Sequence, residues 1–291
     1  MVDAIRLSGS QPSRARGFTL HRRRFPLERR WRRRMEPDTV TFAACGWSLA
    51  RPRAHGTSIA LHGDAGTVLV DAGGDVAKQL ARLDATSSLE RVYLTHEHPD
   101  HLWGLPGLIH SLRFTSRERP LALVGPAPAL ARVRGALDAL DVTCPFPLEW
   151  REIEDEAGSD DIAQWAPMDH SVATLGYRFG DVTVLGDTRP TEQVTDLAEG
   201  SSLLVHEATH TDADRCHASG HSTPADAGRA ASRAGVATLG LIHIHPSLSA
   251  KRAVEEAGFP DTIAPEDGDQ LRHTAEGWEQ RSGVEDGTDT P

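Results

Sequence analysis

Lysine is almost missing from this 291-residue chain: of 31 basic residues, only Lys78 and Lys251 are lysines. Arginine carries the positive charge instead, as a GC-rich coding sequence favours. Cysteine is scarce too. Cys45, Cys144 and Cys216 are odd in number and far apart, so they support neither a disulfide framework nor the C-x-x-C spacing of a structural zinc site. They read as reduced thiols of a cytoplasmic protein. No run of 18 apolar residues occurs, which leaves no candidate for a membrane-spanning helix. The basic N-terminus lacks the apolar stretch of a secretory signal. Composition excludes collagen-like, coiled-coil and disulfide-rich classes, and 38% hydrophobic residues suffice for one large domain or two small ones.

Charge is unevenly spread. Residues 1–34 hold eleven Arg against Asp3 and Glu28, so of the net −11 the rest of the chain carries −20. A charge block without hydrophobic periodicity predicts a disordered segment. It reads as a nucleic-acid arm, a targeting segment, or an extension upstream of a start at Met35. Residues 35–281 are expected to form the folded domain, with Ser282–Pro291 an acidic disordered tail. A body at −20 repels nucleic acid and anionic membranes at long range, and suits a salt-rich, halophile-like cytoplasm.

From Val40 the pattern is regular. Short β-rich runs fall at Val40–Ala44, Thr57–His62, Thr67–Asp71, Arg91–Thr95, Leu121–Gly125, Leu175–Phe179, Val182–Leu185, Leu203–His206 and Ala237–Ile242. Leu130, Val133, Leu137 and Leu140 share one helix face. Thr223 followed by Pro224 is a helix start, Ala227, Ala230, Ala231 and Ala234 its small apolar face, and Gly235 its stop. Strands cluster with helices between them and no fixed period repeats. The expected fold is α/β, two sheets with helices packed outside.

The chemistry concentrates in Thr95-His96-Glu97-His98-Pro99-Asp100-His101, just after an apolar strand. Imidazole and carboxylate are ligands that suit Zn²⁺, and Mn²⁺ is accepted by the same donors. In an extended segment His96 and His98 point to one side and can grip one ion. Pro99 turns the chain, so Asp100 and His101 can face a second. The competing reading is an exposed loop with chance histidines. Further ligands should come from distant strand ends, where His170, Asp187 and His243 stand; each alone is more often a turn or capping residue.

His96-x-His98-x-Asp100-His101, preceded by Val-Leu-Val-Asp71-Ala-Gly-Gly, resembles the metallo-β-lactamase fold superfamily. His170-Ser-Val-Ala-Thr-Leu-Gly, Gly186-Asp187-Thr, His206-Glu207-Ala-Thr209, Gly220-His221-Ser-Thr223 and Leu241-Ile-His243 follow in the order of its ribonuclease Z-like branch. The resemblance covers about Val40 to His245. It implies a four-layer αβ/βα sandwich, two central mixed sheets flanked by helices. It implies two Zn²⁺, one held by His96, His98 and His170, the other by Asp100, His101 and His243, with Asp187 between them; His245 competes with His243. It also implies a homodimer and an endonuclease-type cleavage of a phosphodiester in RNA, tRNA 3′ ends included, by a metal-bridging hydroxide. Asp100 would orient the attacking water, and His221, steadied by Glu207, would protonate the leaving oxygen. His206, His210 and His217 read as surface or supporting residues. Arg189 is the candidate phosphate contact, with a structural ion pair as the other reading.

One family feature is missing. Members that process tRNA carry a long arm between the third and fourth metal motifs, but here the strand pair 175–179 and 182–185 fills the interval from His170 to Asp187. Hydrolysis of a small thioester, lactone or sulfate ester on the same centre is therefore the alternative function. Because every motif lies after Met35, a chain beginning at Met35 should cleave RNA as fast as the full chain. A large loss of rate on RNA alone would restore the arm reading of residues 1–34.

Overall fold

The computed structural model describes residues 35–49, 55–64, 66–83 and 85–283. The basic segment 1–34 and most of the acidic tail lie outside these residues. The first sheet has eight strands: β1 (Thr39–Cys45), β2 (Thr57–Gly63), β3 (Gly66–Val70), β4 (Leu89–Tyr93), β5 (Leu121–Pro126), β6 (Leu148–Ile153), β14 (Gln270–Thr274) and β15 (Gly277–Arg281). Their order is β15-β14-β1-β2-β3-β4-β5-β6. The second sheet contains β7 (Gly158–Ser159), β8 (Gln164–Met168), β9 (Thr174–Phe179), β10 (Val182–Val184), β11 (Leu203–Glu207), β12 (Thr238–Ile242) and β13 (Thr262–Ile263), in the order β13-β12-β11-β10-β9-β8-β7. Each sheet mixes parallel and antiparallel pairs.

Three apolar clusters define the layers. Phe42, Ile59, Leu61, Tyr93, Tyr177, Phe179 and Val205 fill the space between the sheets. Tyr93 meets Tyr177 and Phe179 edge-on, with ring centroids 5.1 and 5.2 Å away. Helices α1 (Val76–Arg82), α2 (Pro99–Leu102), α3 (Gly104–Leu112) and α4 (Ala127–Ala139) accompany the first sheet, and Leu80, Leu105, Leu108, Leu130 and Val133 pack on its outer face. Helices α5 (Glu192–Ala198), α6 (Ala213–Ser219), α7 (Pro224–Ala234) and α8 (Ala250–Ala257) follow on the second sheet, whose outer face is covered by Val194, Leu197, Ala227, Ala231 and Ala253. The expected helix–sheet–sheet–helix order is therefore present.

The differences from expectation are local. Leu140 is 65% exposed, because α4 ends at Ala139 and Leu140 is its C-cap. Strands β6 and β8 carry half-buried residues without clean alternation, so hydrophobic pattern does not announce them. Arg91 on β4 is buried. It pairs with Asp160 and Asp161, and the Tyr93 hydroxyl donates to Asp160 at 2.8 Å, so this polar group inside the core is neutralised and hydrogen-bonded.

The start of α7 is a full capping box. Asp226 N–H donates to Thr223 Oγ1 (3.1 Å), and Thr223 N–H donates to Asp226 Oδ2 (3.0 Å). Burial would raise the Asp226 pKa, but the hydrogen bonds from Thr223 and His217 and the Arg229 charge outweigh it, holding the carboxyl below its usual value. A depressed folded pKa contributes stability above the unfolded value, about 3.9, and that contribution is lost as pH falls through the folded value. Asp226→Asn should therefore cost about 1 kcal/mol at neutral pH. The gap to the parent should close in thermal melts as pH drops below about 4; a gap that stays constant would argue against this role.

Candidate metal centre

The ligand loop hangs between two ladders. β3 and β4 are parallel neighbours, and the chain leaves both at the same edge. Asp71, one residue past β3, adopts φ 58° and turns its carboxylate back onto the end of β4. Its Oδ1 accepts from Thr95 N–H (2.7 Å), and its Oδ2 accepts from Thr95 Oγ1–H (2.7 Å) and His101 Nδ1–H (2.6 Å). Gly73 follows because the chain passes close to α2: a Cβ there would stand 1.9 Å from the Asp100 carbonyl oxygen. Pro99 opens α2, and this single turn swings Asp100 and His101 inward, both buried.

The second sheet supplies the remaining candidates from the loops after its strands. His170 precedes β9, Asp187 follows β10, Glu207 ends β11, and His243 follows β12 with φ 56°. Two groups hold the expected ligands, each with ligand atoms within 4.8 Å of one another: His96, His98, His170 and Asp187; and Asp100, His101 and His243; a third, Asp187, His221 and His243, overlaps them. Asp187 faces both expected groups. Its Oδ2 lies 3.7 Å from His96 Nε2 and 3.5 Å from His243 Nε2, and its Oδ1 lies 3.5 Å from His101 Nε2.

The hydrogen-bond network fixes the tautomers. Thr95 Oγ1 gives its proton to Asp71, so it must accept from His96 Nδ1 (2.9 Å). His170 Nδ1–H donates to the Gly220 carbonyl (2.7 Å). Thr209 Oγ1 donates to Glu207 (2.7 Å) and accepts from His243 Nδ1 (3.1 Å). In all four histidines, His101 included, Nδ1 carries the proton and Nε2 keeps a lone pair for the centre. His98 instead turns Nδ1 inward, 3.1 Å from His96 Nε2 and 3.2 Å from His170 Nε2. A single Nδ1–H on His98 can satisfy only one of those two lone pairs at a time, and a cation among the three nitrogens would satisfy all of them. About 3.4 Å separates two nitrogens on one tetrahedral zinc. Among the described residues, His101 Nε2 is the buried side-chain polar atom that has no hydrogen-bond partner. An orphaned imidazole nitrogen, converging lone pairs and two buried carboxylates fit divalent metal ions.

Electrostatics divide the candidate ligands. Burial lowers the pKa of His96, His98 and His170, which keeps them neutral and able to ligate. Burial would raise Asp187 and Asp100, but positive charge on the facing imidazoles, His243 and His101 foremost, holds both carboxyls below the usual range. Burial opposes charge on His101, yet the Asp187 and Asp71 carboxylates push it well above its ordinary value, so its Nε2 sits where a proton or a metal ion would be held. Burial also opposes charge on His221, yet its hydrogen bond to Glu207 Oε1 (Nδ1···O 3.0 Å) and that carboxylate's charge push its pKa up to about 9. His221 stacks at 26° on His243, with ring centroids 5.3 Å apart. Gly220 before it has φ 93°, and a Cβ there would come within 2.7 Å of His170 Nδ1.

The remaining sequence candidates stand elsewhere. Arg189 is engaged by Asp169 (Nη1···Oδ1 3.0 Å) and the His217 carbonyl (2.6 Å), the structural ion pair. His245 lies outside both ligand groups, its Nδ1 2.7 Å from Ser247 Oγ. His206 is not a surface residue: it is 1% exposed and its Nδ1–H donates to the Glu207 carbonyl. Asp71, Thr95, Thr188 and Thr209 were assigned no role from sequence. Their signal was position, beside a ligand or a strand end, which reveals no partner until the fold is known.

The family model described as the beta-lactamase superfamily domain matches residues 66–244. A Ribonuclease Z of Natronomonas pharaonis is 28% identical, over 80% of this chain and 96% of that protein. Among solved structures, the short form of human tRNase Z superposes with a TM-score of 0.67 at 20% identity, covering 84% of this chain and 99% of that one. A diphosphatase from the PhnP family does so with the same score at 21% identity, covering 81% and 98%. These two similarities speak to fold.

Removing the proton acceptor of His101 should loosen the centre without unfolding the sheets. Asp71→Asn is expected to weaken divalent-metal affinity by roughly 10- to 100-fold, read by calorimetric titration of the metal-stripped protein with Zn²⁺. Unchanged affinity would mean that Asp71 serves only the backbone turn.

Proposed function

The chain belongs to the beta-lactamase superfamily, a metal-dependent hydrolase of the ribonuclease Z-like kind, and on that premise we propose that it is a dinuclear zinc phosphodiesterase acting on RNA. The observation that carries the choice of bond is the Glu207–His221 pair beside Asp187. A thiolate leaves without help, whereas the alkoxide expelled from a phosphodiester needs a proton. A protonated imidazole held by a buried carboxylate answers that need.

His96, His98 and His170 would hold one ion and Asp100, His101 and His243 the other, with Asp187 common to both. When bound, the ions supply Lewis acidity toward the phosphate and acidify water. The protein's part is orientation and proton traffic. Asp100, whose Oδ2 lies 3.3 Å from His243 Nε2, has a second oxygen with which to align attacking water. His221 keeps Nδ1 on Glu207, so Nε2–H is the proton it can give. Glu207 also accepts from Thr188 N–H (2.9 Å), which fixes its own direction, and through Thr209 it steadies His243. One carboxylate thus aligns the proton donor with a metal ligand.

The hairpin β9–β10 turns at Gly180 and occupies the interval between His170 and Asp187. That supports a small or single-stranded phosphodiester over a folded tRNA as second reading. The decisive assay offers the zinc-loaded protein a small phosphodiester, a thioester and a tRNA precursor with a 3′ trailer, at high salt. Cleavage of the thioester alone would overturn the proposal.

His221→Ala should lower kcat on a poor leaving group by roughly 10²- to 10⁴-fold while both metals stay bound. A substrate with an acidic phenol leaving group should be spared most of that loss. Asp187→Ala should abolish activity, with the fold retained by circular dichroism.

A further inference from the structure

Two aromatic pairs stand beside the second ligand group, and the chemistry above uses neither. Trp47, on the loop after β1, tilts against His245 with centroids 4.6 Å apart, and His245 meets His210 edge-on at 5.7 Å. The backbone around them is pinned. His243 N–H donates to the Cys45 carbonyl (2.9 Å), Gly46 bridges to Ile244, and His245 N–H donates to the Thr209 carbonyl (2.9 Å). Trp47 and His245 therefore each stand two residues from the point where ligand His243 is held. The second pair is Trp103 with His55, centroids 5.1 Å apart. Trp103 follows ligand His101 by two residues and is 44% exposed. His55 adjoins Gly56, where a Cβ would stand 2.7 Å from the Asp100 carbonyl oxygen.

A phosphodiesterase needs a source of affinity for its substrate. The usual one is arginine on phosphate. Among the described residues, the guanidinium groups beside the site are engaged: Arg189 as above, and Arg132 by Glu97 of the ligand loop (2.8 Å). Residues 35–291 carry −20, which further weakens attraction to polyanions. Stacking on planar π-faces does not depend on charge and tolerates any base. A half-buried and an exposed indole, each braced by an imidazole, provide such faces within two residues of metal-ligand segments.

We propose that Trp47 and Trp103 are nucleobase-stacking, specificity-determining residues. The preferred substrate is then a phosphodiester bearing an unpaired base beside the scissile bond, selected by its base more than by its phosphate. The inference rests on the phosphodiesterase reading and names the substrate class of that same site.

Two measurements separate the failures. In calorimetry with zinc-loaded protein and no turnover, a nucleoside 5′-monophosphate should bind at least ten-fold tighter than ribose 5-phosphate. Trp47→Leu or Trp103→Leu should cut that preference by roughly five- to a hundred-fold, and Trp47→Phe should keep most of it. In kinetics, Trp47→Leu should raise KM for a dinucleotide with kcat nearly unchanged, and leave a base-free sugar phosphodiester unaffected. Equal affinity for the two monophosphates in the parent, or an undiminished preference in both Leu variants, would overturn the stacking role. If the preference and its loss in the variants are seen but no phosphodiester is cleaved, the stacking role stands and the phosphodiesterase reading falls. Trp47→Phe and Trp103→Leu keep the test valid if Trp47→Leu does not fold.

Discussion

Asp71 takes three hydrogen bonds on two oxygens, from the Thr95 amide, the Thr95 hydroxyl and His101. The rest of the site depends on that arrangement. Through Thr95 it sets His96, and directly it sets His101, so one buried carboxylate aligns an imidazole in each ligand group. Its left-handed backbone, φ 58°, costs of order 1–3 kcal/mol in a non-glycine residue. The turn it makes brings the end of β3 against the end of β4 and frees the ligand loop from the ladder. Strain stored at this point is offset by the hydrogen bonds and by burial of the surrounding sheet.

Glu207 plays the matching part in the second sheet. It too is buried, and it gathers Thr188, Thr209 and His221. Asp71 aligns ligands from the first sheet; Glu207 aligns a ligand and a candidate proton donor from the second. Asp187 lies between the two groups and faces nitrogens of both. The centre therefore joins two sheets whose facing surfaces are otherwise held by apolar packing. Ordering an interface of this kind by metal binding adds free energy that neither sheet supplies alone.

The same geometry restricts what the surface can do. The described arginines beside the site, Arg132 and Arg189, are paired with Glu97 and Asp169, so their charge braces loops. On the stacking proposal, substrate recognition falls to planar groups beside the candidate metal centre.

The six residues from His96 to His101 announced a metal site in the sequence, because imidazoles at that density beside a strand end rarely serve anything but a metal ion. The apolar runs and the Thr223-Pro224 start announced most strands and the α7 cap, because period and capping chemistry are local. Half-buried β6 and β8 left no such trace, and Leu140 lay on the right face but past the helix end. Which histidine nitrogen faces the candidate centre, why His243 and not His245 joins the second group, and where Arg189 points were decided only by tertiary structure. Each depends on a partner more than twenty residues away in sequence: Thr209 and Asp100 for His243, the His217 carbonyl for Arg189. Residue type and spacing determined the donor set. Only the meeting of two sheets could set its directions.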